Sequence, residues 1–221
     1  MRNISFSNIH GTVTTSPGQM EETTLTNSYR EGEKHSCIAL NCTGGATLER
    51  VSFENIHLTF GGGGTAEDAA RRDLPEIAGE YFMLGPMPAY GFYARNARAL
   101  TLMNIRLETA TPDLRPAVIL DHVNDVSISS LSAQADANAE SALRFIDTRD
   151  VLITAPRLLS TANVFLQVEG SDSSDILVQG GDLRKAADTF AFRMGAKQNS
   201  VRAEGIAGAK TRRRLGTGSP S

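Results

Sequence analysis

A short apolar phrase returns seven times along this chain of 221 residues, and its spacing constrains the fold more than any other feature. It reads Asn3-Ile4-Ser5-Phe6-Ser7-Asn8-Ile9, then Arg50-Val51-Ser52-Phe53-Glu54-Asn55-Ile56, then Ala99-Leu100-Thr101-Leu102-Met103-Asn104-Ile105. Shorter copies follow at Val126-Ser127-Ile128, Val151-Leu152-Ile153, Ile176-Leu177-Val178 and Val201-Arg202-Ala203. Aligned on the third residue of each triplet, the copies stand at 6, 53, 102, 128, 153, 178 and 203. The last four steps are 26, 25, 25 and 25 residues, and the first two, 47 and 49, equal about one such step plus an insertion. A fixed period of this size marks a solenoid, in which each repeat buries its apolar face against the next.

The chemistry inside each repeat selects the kind of solenoid. Every unit carries short alternating runs of Val, Ile, Leu and Phe, without a continuous helical stripe. No regular leucine-rich series and no paired amphipathic helices are present. A second strand-like run precedes the phrase, as in Cys37-Ile38-Ala39-Leu40, Tyr90-Gly91-Phe92-Tyr93-Ala94, Ala117-Val118-Ile119-Leu120, Leu143-Arg144-Phe145-Ile146, Val164-Phe165-Leu166 and Phe190-Ala191-Phe192. Several short strands per repeat of about 25 residues predict an all-β fold, a right-handed parallel β-helix. Asn8, Asn55, Asn104, Ser130, Ala155, Gly180 and Gly205 share one repeat position. Asn and Gly tolerate left-handed backbone, so this column is expected at a sharp turn between sheets, with the asparagines stacked as a ladder. His10 and His57 also share a position, which points to stacking.

Composition excludes several roles. The net charge is −3, which leaves no basic footprint for nucleic acid, and three arginines near the C-terminus do not change that. No apolar run approaches the length of a membrane span, and Met1-Arg2 leads directly into a strand phrase without a signal peptide. Cys37 and Cys42 are two thiols, or a bridge across a turn at Asn41. No Cys/His spacing suggests a metal site, and nothing calls for a cofactor. One domain is expected over 1–208, followed by a disordered basic and polar tail over 209–221.

Two insertions break the period, at about 11–36 and 59–89. Thr65 to Leu74 has the signature of a short helix, with Thr65 as N-cap and Asp68 near N3. The Gly61 to Gly64 run lacks the Lys-Ser/Thr of a phosphate loop and reads as a hinge. Long loops on a regular scaffold are common places for binding. Strand parity sharpens the list: if Ile38, Leu40, Phe92, Ala94, Val118 and Leu120 point inward, then Ala39, Asn41, Tyr93, Arg95, Ile119 and Asp121 point outward. Asn41, Tyr93, Arg95 and Asp121, with His35 beside them, would present an aromatic and polar groups along a shallow groove suited to a sugar chain. The plainer alternative is a solvated sheet face. Beyond Ser132 the repeats lack large insertions and read as scaffold.

The segment Arg50 to Asp121 resembles bacterial members of glycoside hydrolase family 28, the polygalacturonase and rhamnogalacturonase-like enzymes. The resemblance is carried by Val51-Ser52-Phe53-Glu54-Asn55-Ile56-His57, by Gly62-Gly63-Gly64-Thr65-Ala66-Glu67-Asp68-Ala69, by Pro88-Ala89-Tyr90-Gly91-Phe92-Tyr93 and by Asp113-Leu114-Arg115-Pro116-Ala117. It implies a β-helix, a pectic or other acidic polysaccharide as ligand, and a secreted or periplasmic location. Such enzymes place their acid and base carboxylates on Asn-x-Asp, Asp-Asp and Gly-His-Gly motifs, and none occurs here, so no catalytic residue carries over. The expected role is the C-terminal scaffold and substrate-cleft portion of a pectin-type hydrolase, inactive alone. The alternative is a non-catalytic polysaccharide-binding module. A pectate-lyase-type calcium site would need clustered acidic residues, which Asp121 alone does not supply. A first turn that begins inside a strand phrase leaves an open edge, so end-to-end association through it is expected.

Overall fold

The computed structural model describes residues 1–13, 35–77 and 81–208. Most of the first insertion and the expected disordered tail lie outside them. The described chain is all-β. Strands β1 (Arg2–Val13), β2 (Ile38–Asn41), β3 (Leu48–Phe60), β4 (Phe92–Thr109), β5 (Val118–Ser129), β6 (Ser132–Ala133) and β7 (Leu143–Ile146) are followed by β8 (Arg149–Thr154), β9 (Arg157–Leu158), β10 (Ala162–Glu169), β11 (Ser174–Gln179), β12 (Ala186–Arg193) and β13 (Val201–Glu204). They form one 13-stranded, wholly parallel system, consistent with a parallel β-helix.

Pairing follows the sequence period. The phrase residues stack as Phe6, Phe53, Leu102, Ile128, Ile153, Val178 and Ala203, one per layer. The preceding strands stack as Ile38, Phe92, Val118, Leu143, Leu166 and Phe190. A third column follows the phrase, with Ile9, Ile56 and Ile105 continued by β6 and β9. A complete layer therefore has three strand positions, called here the leading, phrase and trailing columns. Alternate residues of all three point into one apolar core running from Val51 to Ala186.

Corners between columns are set by left-handed residues. Between phrase and trailing columns these are the expected Asn8, Asn55, Asn104, Ser130, Ala155, Gly180 and Gly205, with φ from 50° to 65°. Asn55 Nδ2 donates to Asn8 Oδ1 at 2.7 Å and Asn104 Nδ2 to Asn55 Oδ1 at 3.1 Å, so the ladder exists. Between leading and phrase columns two further left-handed columns occur. One holds Asn96, His122, Asp147, Gly170 and Met194, and the other Asn3, Arg50, Ala99, Asp125, Asp150 and Asp175. His10 and His57 meet edge-on at 6.1 Å, and neither cysteine is disulfide-bonded.

The second insertion holds the only α-helix among the described residues, α1 (Ala66–Ala70). Its capping box is the one read from sequence: Asp68 N donates to Thr65 Oγ1 and Thr65 N to Asp68 Oδ2. The helix ends at Arg71, short of the expected Leu74. Arg71 turns extended there, and its side chain donates to the carbonyls of Leu84 and Pro86.

Candidate functional site

Outward residues of the leading column form two rows across six layers. One row is Ala39, Tyr93, Ile119, Arg144, Gln167, Ala191, and the other is Asn41, Arg95, Asp121, Ile146, Glu169, Arg193. The parity deduced from sequence is thus the parity of the structure. The open groove is not. Tyr93 is 2% exposed, Arg95 8% and Asp121 6%. The second insertion covers them, packing Leu74, Leu84, Met87 and Ala89 with Tyr93, Ile119 and Cys37 into a second apolar cluster. The cause is hydrophobic: the insertion carries apolar side chains of its own, and the Tyr93–Ile119 strip on the outside of the stack is an apolar patch that buries them.

The structure brings four of the five sequence-nominated residues together. Arg95 Nε donates to Asn41 Oδ1 at 2.9 Å, and its Nη1 and Nη2 donate to the carbonyls of Leu74 and Pro75. Tyr93 Oη donates to Asp121 Oδ2 at 3.1 Å. Burial, reinforced by the Asp121 carboxylate, pushes the Tyr93 hydroxyl well above its ordinary value, so it stays a donor. His35 stands apart at the root of the insertion, with Nδ1 3.3 Å from Asp68 and its carbonyl accepting from Arg115.

One residue that the sequence reading did not nominate, His122, joins the group. His122 Nδ1 lies 2.6 Å from Asp121 Oδ1, and its ring is 60% exposed. The contact assigns the Nδ1 proton of the neutral ring, leaving Nε2 outward, 3.8 Å from Asp147 Oδ2. An imidazole oriented by a buried carboxylate is suited to moving a proton at Nε2.

The layers beyond Ser132, read from sequence as scaffold, carry the other anchor of the insertion. Arg72 donates to both oxygens of the buried Glu169, at 2.8 and 2.7 Å, and to Glu140 at 3.2 Å. Gln167 Nε2 lies 2.6 Å from each of these two carboxylates. Fully buried Arg144 donates to Glu140 and to the Ala69 carbonyl at the end of α1. Burial alone would raise the Glu140 carboxyl, but the Gln167 hydrogen bond and the Arg144 and Arg72 guanidinium groups outweigh it and hold it below its ordinary value. Hydrolysis of a glycosidic bond needs one carboxyl kept neutral as the acid. This pair, with Glu140 held anionic and Glu169 clamped by Arg72, instead fastens the insertion down.

The insertion's root is fixed by a buried pair, Asp113–Arg115. Arg115 donates to both Asp113 oxygens, at 3.0 and 2.7 Å, and to the carbonyls of His35, Met87 and Ala89. Gly64 N donates to Asp113 Oδ2, and a Cβ on Gly64 would lie 2.1 Å from Arg115 Nε. Gly63 N donates to the Pro112 carbonyl. The glycine run is therefore a pinned close approach, not the expected hinge.

Among the described residues no group of three or more His, Cys, Asp and Glu gathers as metal ligands, and no helix is long and apolar enough to cross a membrane. Comparison with protein-family models, with curated proteins and with solved structures returned no match.

Proposed function

We propose that the chain is a right-handed parallel β-helix serving as the scaffold and substrate-cleft portion of a pectin-type polysaccharide hydrolase, without hydrolytic machinery of its own. The observation that carries this reading is the coincidence of resemblance and architecture. The residues from Arg50 to Asp121 that resemble family 28 stack as successive layers, as the rest of the described chain does, and seat the Gly62–Ala69 loop beside them. A linear polymer suits a surface that repeats every layer, about 4.8 Å apart.

With Tyr93 and Arg95 covered, the reading moves to the accessible corner between the leading and phrase columns. There an open depression of about 390 Å³ is lined by Glu49, Arg50, Arg98, Ala99, Asn124, Asp125 and Asp150. Arg50, whose Nε donates to Asn3, and Arg98, paired with Glu49 at 2.9 Å, are the cations that would turn to uronate carboxylates, beside Asp125 and Asp150 in the same depression. Titration calorimetry with oligogalacturonides tests this: Arg50→Ala and Arg98→Ala should each weaken binding several-fold, more at low salt than at high salt. Unchanged affinity in both variants removes the reading. The second reading, a polysaccharide-binding module without hydrolysis, is favoured by the carboxylates being tied into the Arg72 network. Reducing-sugar release from polygalacturonate or rhamnogalacturonan by a longer protein carrying these layers would decide for the hydrolase, and binding without release for the module. Either role fits a secreted or periplasmic protein.

A further inference from the structure

The corner that closes the leading column runs Asn96, His122, Asp147, Gly170 and Met194, so His122 and Asp147 stand at one repeat position in adjacent layers. Each of the two side chains is held from elsewhere. Asp121 Oδ1 fixes His122 through Nδ1 at 2.6 Å, while Tyr93 Oη donates to the other Asp121 oxygen. Asp147 Oδ1 accepts from the Asp172 backbone N–H at 3.1 Å, and the carboxylate lies over Gly170, where a Cβ would collide with it. These contacts leave His122 Nε2 and Asp147 Oδ2 facing each other across 3.8 Å. That gap is too long for a hydrogen bond. Two ligand atoms of one tetrahedral zinc ion stand about 3.4 Å apart, so a small torsion of the Asp147 carboxylate completes the pair.

We propose that His122 Nε2 and Asp147 Oδ2 form a surface site for a zinc-class divalent cation, with Asp121 orienting the imidazole from behind. A metal-bound imidazole characteristically gives its other N–H to a carboxylate, which fixes the tautomer and makes the ligating nitrogen more basic. The Asp121–His122 contact has that form, and Asp121 is itself buried and held by Tyr93. The cation Arg149 pairs with Asp172, at 3.7 Å, and not with Asp147. A nitrogen ligand selects zinc and its transition-metal neighbours over calcium, which takes oxygen donors. Two protein ligands leave the other positions to solvent, the open arrangement of an exchangeable site and not of a structural one. The other histidines with a carboxylate in reach lack this form. His57 Nε2 meets Glu108, whose two oxygens are taken by Arg106, and His35 Nδ1 shares Asp68 Oδ2 with the Thr65 N–H.

Titration calorimetry with Zn²⁺, and with Ca²⁺ as the comparison, tests the proposal, with circular dichroism to verify folding. Asn is well suited to left-handed backbone, so His122→Asn and Asp147→Asn remove the ligands and keep the corner. The wild type should bind zinc in preference to calcium, and each of these variants should weaken zinc binding about tenfold or more. Asp121→Asn touches no metal, yet should weaken it by about 10- to 100-fold through loss of the orienting contact. His57→Ala should bind as the wild type does. A wild type that takes up no zinc overturns the proposal. So does zinc binding that survives His122→Asn or Asp147→Asn, that is lost in His57→Ala, or that Asp121→Asn leaves unchanged.

Discussion

Ala155 sits at φ 50° in a column where the next two layers carry Gly180 and Gly205. A Cβ in left-handed backbone costs about 1–2 kcal/mol, so Ala155→Gly should raise stability by roughly 1 kcal/mol, after the extra entropy glycine retains when unfolded. Thermal or denaturant unfolding would read it, and a loss of stability would contradict the column argument. Arg115 predicts the opposite sign. Its side chain and that of Asp113 are each 1% exposed, and Arg115→Met would strand a buried carboxylate and three carbonyls. The expected loss is about 3–5 kcal/mol, seen as a lower denaturant midpoint. At this scale the sequence was legible wherever backbone chemistry forced a residue type. The phrase–trailing corner announced itself through Asn8, Asn55 and Asn104. The other corner was hidden because Arg50, Ala99, His122 and Met194 occupy it, although Asn3, Asp125, Asp150 and Asp175, each just before a phrase, carried the signal. Tyr93 and Arg95 could be oriented by parity, but not recognised as buried. What covers them is Leu74, Leu84 and Met87, from a segment with no period to read.

The second insertion behaves as an element fastened at two points, Arg115 at its root and Arg72 at the end of α1. Arg72→Ala removes the second fastening without touching the core of the stack. Limited proteolysis should then cut within residues 61–89 faster than in the wild type, while the far-ultraviolet strand signal is retained. Equal cutting rates would mean the apolar cluster alone holds the insertion. Acid should act at the same place. Glu140 titrates below its ordinary 4.5 in the folded protein, so its contribution is fully present above 4.5 and is lost as pH falls through the lower folded value. Cutting should therefore accelerate below pH 4.5, and Glu140→Gln should abolish that part of the acceleration. On the trailing face, the Arg106 and His57 contacts hold the Glu108 carboxyl down to about 2, so that side chain keeps its charge through the same range. The capping box of α1 was readable from Thr65 and Asp68. Its early end was not, because the partners of Arg71 and Arg72 lie on distant carbonyls and on Glu169.

For the whole molecule, stability is expected to grade along the axis, since each layer touches only its neighbours. Leu120, Leu143 and Leu166 are fully buried in the middle layers, whereas β1 is exposed along nearly its whole length. Amide hydrogen exchange should therefore be slowest in β5, β7 and β10 and fastest in β1, and uniform protection would mean the stack opens as a single unit. The period and the order of layers were legible at this scale because a 25-residue spacing needs no partner to be seen.

That same spacing gives the chain an adjustable length. From Ile128 to Ala203 the phrase and the corner that follows it (Ser130, Ala155, Gly180, Gly205) recur every 25 residues, while the corner at His122, Asp147, Gly170 and Met194 takes up small differences in length. Splicing a duplicate of one such tract between existing layers would extend the rod by a single rung, about 4.8 Å, without retuning its neighbours. Gene duplication in steps of that tract is thus a ready route by which such a fold could lengthen.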